Sequence, residues 1–132
     1  MRRLVGVGYR RELARWIAAR PAEIGCLEIT AEHFFDRDLA LLRALRREYP
    51  LFVHGLGLSL GTPGPLDAAT LDAYARVAAA ADPLYITEHV AFTRTRDVDL
   101  GHLNPIAPSI RPRRPNRLTA RPASEVDTVP TR

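Results

Sequence analysis

The feature that most constrains this chain is a fourfold alternation of short apolar runs with stretches of helical periodicity. Leu4–Gly8, Ile24–Ala31, Leu51–His54 and Leu84–Val90 each read as buried strands, bounded by glycine or proline. Between the first two, Leu13, Trp16 and Ile17 recur at helical spacing before Pro21. Asp36 then offers an N-cap for a helix through Glu48, with Leu39, Leu42, Leu45 and Tyr49 along one stripe. Asp67 offers another for an alanine-rich helix to about Ala81, with Leu71, Tyr74, Val77 and Ala78 turned inward. Strands that alternate with helices predict a parallel sheet, because each right-handed return is filled by a helix. The strand starts are spaced by about 27 residues, and eight such units make roughly 215, near the lower end for a closed (β/α)8 barrel. The expected fold is therefore α/β: half of a TIM-type barrel, β-α-β-α-β-α-β, over residues 1–106. An open doubly wound sheet is the alternative, but Gly6 and Gly8 lead into Tyr9-Arg10-Arg11 and not into a Gly-x-Gly-x-x-Gly turn.

After Pro105 the pattern stops. Residues 107–132 hold five of the eleven prolines, no aromatic residue and no period of either kind. They read as a Pro/Arg-rich disordered tail or as the product of a shifted reading frame. The same segment resolves the charge. All 19 basic residues are arginine, and six of them lie in 107–132 against two acids. Residues 1–106 are left with 13 arginines and 13 acids, so the net charge of +4 belongs to the tail. A basic structured face with stacking aromatics, as nucleic-acid binding requires, is not expected. No apolar run approaches the ~18 residues of a membrane helix, so no membrane partner is expected either. The single cysteine, Cys26, forms no internal disulfide and reads as a small core residue; a reducing cytoplasm is the default setting.

Polar residues stand where the strands end, the place at which parallel barrels assemble their sites. Strand two ends in Glu32-His33, strand three in His54 and strand four in Glu88-His89, with His102 in the loop beyond. Imidazoles and carboxylates converging from successive strand ends suit a borderline transition metal such as zinc or iron. Side chains alternate along a strand, so an inward His89 takes Thr87 and Tyr85 with it and sends Glu88 outward. His89 therefore ranks above Glu88 as a ligand. A lone histidine at a strand end is more often a hydrogen-bonded structural group than a ligand; two at matching ends of neighbouring strands narrow that difference. Glu28 can simply pair with an arginine, and His33 and His102 read as solvent-exposed. Gly55, Gly57 and Gly61 are followed by no Gly-Lys-[Ser/Thr], so they point to a loop closing tightly over the mouth. Trp16, Tyr49 and Tyr74 fit helix-to-sheet packing.

The segments GVGYR (6–10), LEITAEHFF (27–35), FVHGLGLSLG (52–61), TEHVAF (87–92) and GHLNPI (101–106) together resemble the N-terminal half of the multinuclear non-haem iron-dependent oxidative enzymes. These were first catalogued as domain of unknown function 692. The resemblance implies a barrel related to xylose-isomerase-like folds that holds two or three iron ions. It implies dioxygen-dependent modification of cysteine-containing precursor peptides in natural-product biosynthesis, with a partner protein presenting the peptide. On the matching motifs, His54 and His89 would be iron ligands and Glu32 would lie in the same mouth; His33 stands where the family commonly has asparagine. Glu32, Glu88 and His102 complete the candidate pocket, and no catalytic residue is assigned. Residues 107–132 match none of the family's later ligands, so a single copy is expected to be inactive, and a homodimer would cover the open strand edges. Three readings stay open: an incomplete iron oxidase, a non-catalytic half barrel or decayed gene product, and another metal-dependent barrel enzyme such as a sugar isomerase or a phosphodiesterase.

Overall fold

A computed structural model describes residues 4–95 and 97–106; the expectation for residues 107–132 lies outside them. The chain runs β1 (Gly6–Gly8), a 3-10 turn (Arg11–Leu13), α1 (Ala14–Ala18), β2 (Cys26–Thr30), a 3-10 turn (Ala31–Phe34), α2 (Ala40–Glu48), β3 (Leu51–Gly55) and α3 (Ala68–Ala81). It continues through β4 (Ile86–Glu88), β5 (Ala91–Arg94) and β6 (Asp99–Pro105). The first four strands form one sheet in the order β1-β2-β3-β4, every pair parallel. That is the α/β arrangement of a partial TIM-like barrel. Among the described residues no helix is long and apolar enough to cross a membrane.

The register sorts the side chains into two faces. Leu27, Ile29, Leu51 and Val53 point to the helices and are fully buried with Ile17, Leu42 and Val77. The opposite face, the concave side of a barrel, carries Cys26, Glu28 and Thr30 from β2 and Phe52 and His54 from β3. Tyr85 stacks on Phe52 with ring centroids 4.4 Å apart, so it shares this face. Cys26 is buried against Gly6, and burial pushes its thiol pKa up, which makes it a packing group and a poor nucleophile. Tyr49 donates to the Ile17 carbonyl at 2.8 Å and thereby satisfies its hydroxyl inside the core. Arg46 joins α2 to the end of α3, donating to the carbonyl and carboxylate of Asp82, whose left-handed backbone ends the helix.

Several local expectations change. Helix α2 begins at Ala40, with Leu39 as its N-cap residue and Asp38, not Asp36, accepting from the Ala40 amide at 2.9 Å. The 3-10 turn and bend after β2 use up the residues through 38. Helix α1 is a single short piece whose Ile17 reaches the core, and Trp16 is left 47% exposed. Leu71 lies at the margin of α3 at 36% exposure; the inward stripe is Ala73, Tyr74, Val77 and Ala81. Asp67 does cap α3, accepting from the Thr70 amide and hydroxyl, contacts that lower its carboxyl pKa. Strands β5 (Ala91–Arg94) and β6 (Asp99–Pro105) pair antiparallel where a loop is expected, and His102 sits on β6.

The β1–β2 contact depends on the absence of a side chain at Gly6, since a Cβ there would lie inside the Sγ and carbonyl oxygen of Cys26. Gly6→Ala should lower stability by about 1–3 kcal/mol, the usual range for overpacking, read as a reduced urea midpoint.

Candidate metal centre

Parallel strands bring their C-terminal ends to one edge of the sheet, and the register there pairs Thr30 with His54 and His54 with Thr87. His54 lies next to last in β3, and His89 follows β4 by one residue. Their rings meet edge to face, centroids 4.8 Å apart at 71°, with the two Nε2 atoms 3.1 Å from each other. His54 Nδ1 lies 2.7 Å from Thr87 Oγ1. Two imidazoles bound cis to one ion at about 2.0–2.1 Å would place their nitrogens about 2.9–3.4 Å apart. The pair thus fits two coordination positions of one borderline metal in the His54 tautomer whose Nδ1–H donates to Thr87, with an ion taking the place of the hydrogen bond between the two Nε2 atoms. Among the described residues no third histidine, cysteine or carboxylate joins them in a metal-sized group.

The two carboxylates of the predicted pocket do something else with their oxygens. Glu32 Oε1 accepts from the amides of Leu56 and Gly57, both at 2.7 Å. Glu88 Oε2 accepts from the Leu58 amide at 3.3 Å, and its Oε1 from the His89 amide at 2.7 Å. Three successive N–H groups of the glycine-rich loop are therefore held by acids from two different strand ends. Of the oxygens of these two carboxylates, Glu32 Oε2 is left buried without a hydrogen-bond partner. Glu88 points towards the helix side, as the alternation requires. Its carboxylate and the Tyr74 ring occupy the space a Cβ on Gly55 would need. His33 and His102 are both exposed, away from the histidine pair's contacts.

Three contributors to the site carry no mark of that role in the sequence. Tyr74, expected only as packing, donates its hydroxyl to the Thr87 carbonyl at 3.1 Å. Its phenol is pushed up to about 12, first by burial and then by the negative charges of Glu88 and Glu32. Arg94 on β5 donates to the Gly57 carbonyl at 2.9 Å and to Thr70 Oγ1 at 3.1 Å, joining hairpin, loop and α3. Ser59, buried with a left-handed backbone, accepts from the amides of Thr93 and Arg94 and fastens the other end of the loop. No spacing rule marks these contacts; the alternating Ala91–Arg94 run is the one local signal.

Because the folded phenol of Tyr74 holds its proton above the usual value near 10, its contribution to stability is present below pH ~10 and lost as pH rises towards 12. In an absorbance titration, the phenolate component missing from Tyr74→Phe should be one that rises near pH 12. A missing component that rises near pH 10 would contradict this environment.

Residues 4–111 match the family described as RiPP precursor modification enzyme MbnB/TglH/ChrH. The UPF0276 protein of Bordetella pertussis is 36% identical over 92 residues, 67% of this chain and 32% of that protein. That of Chromobacterium violaceum is 35% identical over 104 residues, 76% of this chain and 37% of its own length. That of Nitrosospira multiformis is 35% identical over 108 residues, with 79% and 37% covered. The chain spans about a third of the length of these relatives. With the motif-bearing strands, the paired histidines and the clasped loop all inside the matched segment, the chain belongs to the MbnB/TglH/ChrH family of RiPP precursor modification enzymes.

Proposed function

We propose that this chain carries part of the iron-binding mouth of an oxidase acting on a cysteine-containing precursor peptide, with His54 and His89 as two ligands of one ion. The observation that supports it is the 3.1 Å approach of the two Nε2 atoms from adjacent strands. Imidazole nitrogen is a suitable donor for iron or zinc, and the distance matches two cis ligands of one ion. Iron, when bound, supplies the one-electron steps through which dioxygen oxidises a thiol. Thr87 holds the His54 ring by its Nδ1 edge, and the Glu88 contact to the His89 amide fixes the backbone from which the second imidazole projects. Glu32 and Glu88 keep the glycine loop folded beside the pair, so their role is to shape the mouth.

Two imidazoles leave most coordination positions to other donors. A second copy is one source, since the outer edges of β1 and β4 have no strand partner among the described residues. A peptide-presenting partner protein and a cytoplasmic setting accord with the family resemblance and the single buried thiol.

The test is anaerobic titration of the full chain with Fe(II), or with Co(II) as a spectroscopic probe. His54→Ala and His89→Ala should each weaken binding at least tenfold, and Thr87→Val by a comparable or smaller factor. Equal metal affinity in the wild type and both histidine variants would reject the assignment.

A further inference from the structure

A groove of about 870 Å³ lies beside the turns that follow β1 and β2, at the same end of the sheet as His54. It is lined by Arg10, Arg11 and Arg37 with His33, and its acids are Glu12 and Asp38. The groove's lining holds three arginines against two acids, a net charge of +1, where residues 1–106 as a whole hold 13 of each. None of the three is in an ion pair among the described residues, whose salt bridges are Arg20–Glu48 and Arg46–Asp82. Asp38 already accepts from the Ala40 amide. Arg10 donates one nitrogen to the Tyr9 carbonyl and lies over Gly8, 3.2 Å from where a Cβ would stand. Gly8 pairs with Glu28 on the concave face, so the groove opens towards the barrel interior. Tyr9 and Phe34, centroids 6.2 Å apart, form its apolar floor.

We propose that this groove binds an acidic segment of the peptide substrate and holds it across the rim while another part of the peptide enters the mouth. The inference rests on the peptide-modifying reading for the identity of its ligand. Guanidinium groups on two mounts, Arg10 and Arg11 at the turn after β1 and Arg37 past the turn after β2, suit carboxylates spaced along a flexible backbone, each met by a planar fork of donors. A nucleic acid would also bring negative charge, but it needs exposed rings for its bases. Here Phe34 is buried and Tyr9 half-buried, so the floor can take a small apolar side chain and offers no stacking platform.

Fluorescence anisotropy on the full-length, metal-free chain tests this, with a labelled ten-residue peptide of Glu, Gly and one Leu as the probe. Binding should saturate, weaken with salt and drop at least tenfold in the double variant Arg11→Ala/Arg37→Ala. Arg11→Lys/Arg37→Lys keeps the charge without the fork and should fall between. A tail control, Arg113→Ala/Arg114→Ala, should bind like the wild type. Equal binding of the Gln counterpart peptide, loss of binding in the tail variant alone, or tighter binding of a single-stranded oligonucleotide would each overturn the proposal. No metal and no turnover enter this assay, so its failure leaves the histidine titration standing, and the reverse holds too.

Discussion

Everything at the mouth depends on the parallel register of β3 against β4. Pairing His54 with Thr87 puts the hydroxyl against Nδ1 of the imidazole, and it sets His89 two residues further on, on the same face. Because strand side chains alternate, a slip of one residue would turn Thr87 and His89 to the helix side and bring Glu88 inward. The helix side resists such a slip strongly. Val53, fully buried, sits directly between Phe52 and His54, and the packing of Leu51 and Val53 against Val77 leaves no room for a polar residue there. A hydrophobic core on one face of the sheet thus specifies a polar constellation on the other.

The second constraint is the loop that follows β3. Backbone amides at 56, 57 and 58 have no helix or sheet to join, and a buried amide without a partner is costly. Glu32 and Glu88 supply the acceptors, Arg94 takes the Gly57 carbonyl, and Ser59 receives the hairpin's amides in return. Loop, hairpin and strand ends are therefore one hydrogen-bonded unit. The residues that look most reactive in sequence include some whose oxygens are spent on holding backbone. A glutamate at a strand end can be a ligand or a clasp, and only geometry separates the two.

The alternation of strands and helices, the parallel order and the inward set Tyr85-Thr87-His89 were all legible because they follow from periodicity and burial. The Asp67 cap was legible because a short acidic side chain immediately preceded an alanine-rich run. What could not be read depended on contacts distant in sequence. The exposure of Trp16 follows from how short α1 is, and β6 lacks a buried face by which to be read, since its residues are mostly exposed. The closeness of His54 to His89, 35 residues apart, was an expectation from strand ends; its 3.1 Å value and the part of Thr87 emerge only from the register.

Gly55 carries a consequence for how this segment can diverge. The room left by its missing side chain is shared by a carboxylate from the next strand and a phenol from the intervening helix. Three elements meet in one vacancy, so position 55 cannot change alone. A larger residue there would require a smaller one at 74 or 88, and giving up either would free the Leu58 amide or the Thr87 carbonyl. Divergence at this spot should therefore move in correlated sets, and chains that keep the acid and the phenol should keep the glycine with them.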